Sequence, residues 1–439
     1  MRFLGIGDYN DLGDMYLRLM AAGHEVRVHV ADPKRRDTLG GFLTLVDEWQ
    51  SQLDWVSAAG RDGIILFENV NAGHIQDRLR QAGFAVVGGS REGDRLENDR
   101  AYGQAILRAL QVQTAATYEF SDFDDAIAFV QSHPGRYVFK LNGTGHRSGD
   151  NYVAELDDGA DLIAWLETSQ RRWDLPAAPH FVLMEHLSGI EIGVGAYFDG
   201  TDFLQPACLD WEHKRFCNGD LGELTGEMGT LVTYRGAERL FAATLGRLKE
   251  RLRHAGHCGY ININTIVNED GIWPLEFTCR FGYPGFSILD SLHAEEWDKI
   301  LYRMAHQGGG TLATHSGYGI GVVLTVPPFP YQSGYQEMSK GLPIMFRGEL
   351  TANDRRNIHY CEVAMKDGRL VTSGVAGQLM IVTGRGDTVE AAQAEAYALA
   401  RRVVVPNLRY RTDIGDSFLQ RDCARLQRLG ILEMLPPSP

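Results

Sequence analysis

Four short runs of β-branched and apolar residues, at 2–6, 25–30, 63–67 and 85–87, are separated by segments of helical character such as 15–22 and 75–82. Strand and helix alternating at this spacing predict an open α/β sheet. The turn that closes the first run, Gly5-Ile6-Gly7, has no third glycine at dinucleotide-fingerprint spacing, the next being Gly13, so a nicotinamide dinucleotide is not the expected ligand. The alternation continues with a helix over 99–110, a strand over 114–120, a helix over 123–131 and a strand over 137–140. Further strands are expected at 181–185, 193–198, 260–267 and 273–279, and a helix at 238–253. Gly308-Gly309-Gly310-Thr311 reads as a linker, beyond which 317–326 and 378–382 read as strands, 389–403 as a helix and 435–439 as a loose tail.

Composition narrows the function classes. The chain has 439 residues, enough for about three domains at ~150 residues each. Its 43 Lys and Arg against 57 Asp and Glu give a net charge of −14, which argues against a nucleic-acid or anionic-membrane surface. Six cysteines, Cys208, Cys217, Cys258, Cys279, Cys361 and Cys423, are scattered without a C-x-x-C pair or zinc spacing. Acidic residues begin at Asp8, and no run of ~18 apolar residues occurs, so a reduced, untargeted, cytoplasmic protein is expected.

Three segments carry chemistry. Lys140 closes an apolar strand and is followed by Asn142-Gly143-Thr144-Gly145-His146-Arg147-Ser148-Gly149. Such glycines bring backbone N–H groups close to phosphate oxygens beside a lysine point charge, although a plain surface hairpin has the same composition. Glu185 and Glu191 flank a glycine turn at a strand end, where one carboxylate suits an adenine amino group and the other ribose hydroxyls; two exposed acids are the plain alternative. Period-two alternation then puts Asn262 and Asn264 on one strand face, and Glu276, Thr278 and Arg280 on one face of the next. Hard oxygen donors on adjacent strands suit magnesium held between protein and nucleotide phosphates.

In this order the segments resemble an ATP-grasp ligase, and within that superfamily the phosphoribosylamine-glycine ligase family. Residues 88–102, with Leu96-Glu97-Asn98-Asp99-Arg100, are similar to the family's x-L-E-x-S-K-x-F segment, and Phe139-Lys140 to its V-K. Met184 to Glu191 resembles E-E-F-L-x-G-E-E, and Glu212-His213-Lys214-Arg215 then Thr225-Gly226-Glu227-Met228-Gly229 resembles D-H-K-R then T-G-G-M-G. Glu276 to Gly282 resembles E-F-N-x-R-F-G, and Tyr410 to Gly415 resembles Y-R-x-D-I-G. The resemblance implies an ATP-grasp fold with a Rossmann-like N-terminal domain at 1–97, an ATP-grasp domain at 98–308 containing a lid-like part at 113–187, and a C-terminal α/β domain at 315–439. It also implies ATP with magnesium or manganese, small carboxylate and amine substrates, and a monomer or homodimer. Nucleotide contacts fall on Arg100, Lys140, Gly143, Gly145, Glu185, Leu187 and Glu191, and metal contacts on Glu276, Thr278 and Asn264. Catalytic roles fall on Lys140, Lys214 and Arg280, the arginine as a fork for a substrate carboxylate.

The departures are informative. Thr278 replaces the family's asparagine, and Asn264 stands where related ATP-grasp domains of carbamoyl phosphate synthetase carry an amide near metal. Arg100 replaces a lysine, and Arg147-Ser148-Gly149 replaces G-K-G. The N-terminal G-G-R-E-H is absent; Gly7-Asp8-Tyr9-Asn10-Asp11 stands there, and its acids repel a phosphate. R-F-G-D-P-E has become Arg280-Phe281-Gly282-Tyr283-Pro284-Gly285, and P-N-T-G-G-M-G has become Glu223-Leu224-Thr225-Gly226-Glu227-Met228-Gly229. A paralogue with an altered acid or amine is expected. The housekeeping ligase and a non-catalytic ATP-binding sensor are the alternatives.

Overall fold

The computed structural model describes residues 1–142, 151–173 and 179–433. The N-terminal strands β1 (Arg2–Gly7), β2 (Glu25–Val30), β3 (Gly63–Phe67) and β4 (Ala85–Val87) form a parallel sheet in the order β2-β1-β3-β4. Parallel strands are covered on both faces and need continuous apolar runs, and β3 is buried at every position. Beyond β4, Asp99 caps the helix Arg100–Ala109 by accepting from the Tyr102 N–H at 2.9 Å, which fixes Arg100 in the first turn.

A second, antiparallel sheet joins β5 (Thr117–Phe120), β6 (Tyr137–Leu141), β7 (Tyr152–Val153) and β8 (Phe181–Glu185) in the order β5-β8-β6-β7. Its own small core packs Phe123, Phe139, Phe181, Leu162 and Leu166, with the Phe139 and Phe181 rings 4.9 Å apart.

Next come β9 (Ile190–Asp199), β10 (Cys208–Glu212), the hairpin β11 (Arg215–Cys217) and β12 (Leu221–Leu224), β13 (Gly229–Thr233), β14 (Cys258–Asn268), β15 (Gly271–Thr278) and β16 (Tyr318–Thr325). The remaining strands are β17 (Met345–Phe346), β18 (Ile358–Tyr360), the hairpin β19 (Val363–Lys366) and β20 (Arg369–Thr372), β21 (Gln378–Gly386) and β22 (Val403–Val404). Eight of them make one sheet in the order β15-β14-β9-β10-β13-β16-β21-β18. Because β13 pairs with β16, that sheet continues across the glycine-rich segment at 308–311.

The faces of the large sheet differ. Ile192, Val194, Leu209, Ile261 and Ile263 are buried in the main core, while the alternate positions Glu191, Asp210, Glu212, Asn262 and Asn264 point the other way. A one-residue slip in any of these strands would exchange the two sets, so the pattern pins the register.

Two expected helices differ from the structure. The segment 238–253 is two helices, Glu238–Ala243 and Lys249–His254, joined by a 3-10 turn. The break is at Thr244 (φ −126, ψ −93), whose hydroxyl donates to the Leu240 carbonyl at 2.6 Å. The helix starting at Val389 stops at Ala400, and Val403–Val404 pairs with β17 instead. All six cysteines are free, and among the described residues no helix is long and apolar enough to cross a membrane.

Candidate active site

Glu276 on β15 lies opposite Asn264 on β14 and gathers three cations from three separate elements. Arg100, from the capped helix, donates to it at 2.6 Å; Lys140, from β6, donates at 3.2 Å. Lys214, from the turn after β10, stands 3.7 Å from its other oxygen. Lys214 also pairs with Glu191 at 2.7 Å and Glu212 at 3.2 Å, and the Asn264 amide donates to Glu191 at 2.7 Å. The Lys140 charge, joined by Arg100 and Lys214, holds the Glu276 carboxyl well below the usual carboxylate range. Burial lowers Lys140, with Glu276 opposing. For Lys214 burial acts downward, but Glu191, Glu212 and Glu276 overcome it and raise its pKa well above the ordinary value.

Two cavities meet at this cluster, and Lys214 and Glu276 line both. The first, about 270 Å³, has apolar walls from Val138, Met184, Leu187, Ile266 and Leu275, with Glu185, Glu191, Arg100 and Lys140 around it. An apolar slot that ends in convergent cations fits a nucleotide, with base in the slot and phosphates on the cations. The second, about 200 Å³, is lined by Asp210, Glu212, Glu227, Tyr260, Asn262, Asn264, Thr278 and Arg280. Every site residue expected from sequence therefore lines one of the two cavities, except Gly143 and Gly145, which lie outside the described residues.

Arg280 reaches its place through an ion pair. Its Nε donates to Glu97 at 3.2 Å, while the other Glu97 oxygen accepts from the Cys279 N–H at 2.7 Å. The Glu97 charge raises the Arg280 pKa, so the guanidinium stays charged. Sequence reading did not single out Glu97, Asp210 or Tyr260. The signal for Asp210 was present as acids at alternate positions in Cys208–Glu212, and Glu227 stands where the family motif has glycine.

The donor set fits magnesium completed by a nucleotide. Among the described residues no three His, Cys, Asp or Glu side chains gather to hold a metal by themselves. Magnesium characteristically takes one or two carboxylates, water and substrate phosphate oxygens. Glu276 supplies the carboxylate, and Asn264 and Thr278 supply neutral oxygens on the same cavity wall.

A third cavity, about 220 Å³, opens at the carboxyl ends of β1 and β3, beside Asp8, His29, Trp49, Asn69 and Asn71, with no lysine or arginine in its lining. Burial raises the carboxyl pKa of both Asp8 and the adjacent Asp11. Glu68, which accepts from Tyr16 Oη at 2.7 Å and from the Asp11 N–H at 2.7 Å, is pushed up to about 8 by burial with Asp11 adding.

An apolar slot ending in convergent cations, on a core of this topology, is the arrangement of an ATP-grasp ligase, and the family-model matches agree. Residues 98–286 match the family model for the phosphoribosylglycinamide synthetase ATP-grasp (A) domain, and residues 320–417 the model for its C domain. Together the two matches span about two thirds of the chain, and the chain belongs to the phosphoribosylglycinamide synthetase family. The phosphoribosylamine-glycine ligase of Pseudomonas aeruginosa is 27% identical over 358 residues, covering 79% of this chain and 81% of that one. The enzyme of the same name from Nostoc is 27% identical over 355 residues, covering 78% and 80%. In three dimensions the Thermotoga maritima phosphoribosylamine-glycine ligase aligns with a TM-score of 0.72 at 22% identity, over 94% of this chain and 100% of that one. Campylobacter jejuni biotin carboxylase, solved as a β,γ-ATP complex, aligns at 0.63 with 10% identity, over 95% of each chain.

Proposed function

We propose that the protein is an ATP-dependent carboxylate-amine ligase that forms an amide bond through an acyl phosphate, on small substrates other than the glycine and phosphoribosylamine pair. The convergence of Arg100, Lys140 and Lys214 on Glu276, at the junction of the two cavities, carries this reading. A carboxylate oxygen of the substrate attacks the γ-phosphorus of ATP, the bond to the β,γ-bridging oxygen breaks, and ADP leaves. The amine then attacks the acyl carbon, loses a proton, and expels phosphate. Lys140 and Arg100 stabilise the charge that spreads over the transferring phosphoryl oxygens. Lys214, tied to Glu191, Glu212 and Glu276, is held at the boundary between nucleotide and acid. Arg280, braced by Glu97, orients the substrate carboxylate. Magnesium bound at Glu276, Asn264 and Thr278 would neutralise phosphate charge.

The test is ADP release with Mg-ATP across a panel of acids and amines, including glycine with freshly generated phosphoribosylamine. Turnover with another pair names the substrates. The names of the relatives favour a second reading, phosphoribosylamine-glycine ligation itself. Turnover with that pair alone establishes it and sinks the first. The resembled family uses the N-terminal segment for phosphoribosylamine, so the acidic loop at Asp8 and Asp11 and the third cavity's lining without lysine or arginine favour the first, because a sugar phosphate calls for cations. ATP binding without turnover on any pair makes the protein a nucleotide sensor.

A further inference from the structure

The second cavity has a chemically distinct far end, and it rests on the ligase reading only for which substrate enters. Asp210, Gly193, Asn264 and Glu276 lie in one row across β10, β9, β14 and β15. Three strand spacings separate the backbones of its ends, about 14 Å. Glu276, Glu191 and Glu212 each pair with a cation; farther along the row Asp210 and Glu227 do not. Asp210 and Glu227 are each only 7% exposed, and among the described residues no Lys, Arg or His side chain forms an ion pair with either. Asp210 accepts from the Asn262 amide at 2.6 Å through Oδ2, while its buried Oδ1 has no hydrogen-bond partner. Glu227 accepts from the Thr230 hydroxyl. The nearest lysine, Lys214, is committed to Glu191, Glu212 and Glu276.

Two buried carboxylates with no ion-pair partner, reached by the committed Lys214 only at a distance, are costly to ionise, and a cation brought by the ligand offsets that cost. The site is built for them. A Cβ at residue 193 would stand 2.1 Å from Asp210 Oδ1, so glycine there lets the carboxylate lie over the sheet. No metal-holding trio exists among the described residues, whereas an ammonium needs only a few acceptors, which Asp210, Glu227 and the Tyr260 hydroxyl provide. The distance from Glu276 sets this end apart from the reacting carboxyl carbon. The bound group is then a distal anchor and not the attacking amine.

We propose that the carboxylate substrate carries a primary ammonium group remote from its carboxylate, seated between Asp210 and Glu227, so that the enzyme selects an elongated amino acid such as an ω-amino acid.

The test pairs each ω-amino acid from 3-aminopropanoate to 6-aminohexanoate with its unsubstituted carboxylate. Hydroxylamine traps the acyl phosphate as a hydroxamate, so the natural amine need not be known. The full-length enzyme with Mg-ATP is expected to prefer at least one amino member over its partner by about tenfold or more in kcat/KM, and Asp210→Asn or Glu227→Gln to erase most of that preference. Equal use of both members of every pair, or an unchanged preference in both variants, overturns the proposal even though ligation stands. If no acid of this series yields hydroxamate, the ligase reading is decided by the wider panel above, and calorimetric binding of the same pairs decides the anchor: tighter binding of an amino member, lost in Asp210→Asn, sustains it, and equal or absent binding overturns it. The wild-type comparison holds even where a variant does not fold.

Discussion

The two ends of one sheet face are opposites. At β15 a single carboxylate, Glu276, is surrounded by three cations, and its proton affinity falls far below normal; at β10 and the loop before β13, Asp210 and Glu227 lack a cation, and burial raises theirs, with Glu212 adding. The backbone is the same kind of strand at both ends, so the difference lies in what neighbouring elements supply. The helix at Arg100 and strand β6 of the small sheet reach over the first end and bring cations; the second is walled by its own sheet and by Tyr283 and Leu289. A surplus of positive charge awaits phosphates on one side, and carboxyls that keep their protons until a counter-cation arrives stand on the other.

The contrast breaks most severely at its cationic end. Lys140→Ala or Glu276→Ala is expected to lower ADP formation by about 10²–10³-fold or more with the circular dichroism spectrum unchanged, and full activity in both would remove the ligase reading. Arg280→Lys keeps the charge but loses the fork; the Michaelis constant for the acid should rise about tenfold with that for ATP little moved, measured by ADP release against each substrate. An unchanged value would make the Glu97 pair purely architectural. Gly193→Ala presses a methyl onto Asp210 and tests the acidic end without altering a charge; destabilisation of about 1–3 kcal/mol is expected by urea unfolding, with a larger loss in acid affinity than in ATP affinity.

The smallest effect extends the acidic side into the N-terminal sheet. The Glu68 carboxyl has an ordinary value of 4.5 and is raised to about 8 in the fold, so the stability it contributes is complete below about 4.5 and is lost as pH rises through about 8. Glu68→Gln cannot ionise, and its melting temperature should fall by a few degrees less than that of the wild type between pH 6 and pH 9, read by scanning calorimetry.

Legibility followed the same division. The strands of the first sheet were readable because parallel strands buried on both faces need unbroken apolar runs, and β3 has one. Strands β6 and β8 were readable as apolar runs and β14 from its alternation, whereas the helix Ala160–Arg172 was not read, and the polar partners Asn264 and Glu276 stood out because amides and acids are poor strand formers without a reason. By contrast β10 and β13 were not read as strands. Cys208–Glu212 places acids at alternate positions, which looks like a solvated edge until its neighbours bury it. The glycines of β9, Gly193 and Gly195, likewise weaken a strand on paper, yet a Cβ at 195 would meet the Tyr260 hydroxyl. The pairing of Arg280 with Glu97 spans nearly half the chain and has no local trace.

The ladder between β13 and β16 joins residues on either side of 308–311 into one hydrogen-bonded fabric. A protease cut within that segment would sever the polypeptide without parting the molecule: the two fragments should migrate as one particle on a sizing column and separate only in denaturant, as a seam holds cloth after its thread is nicked.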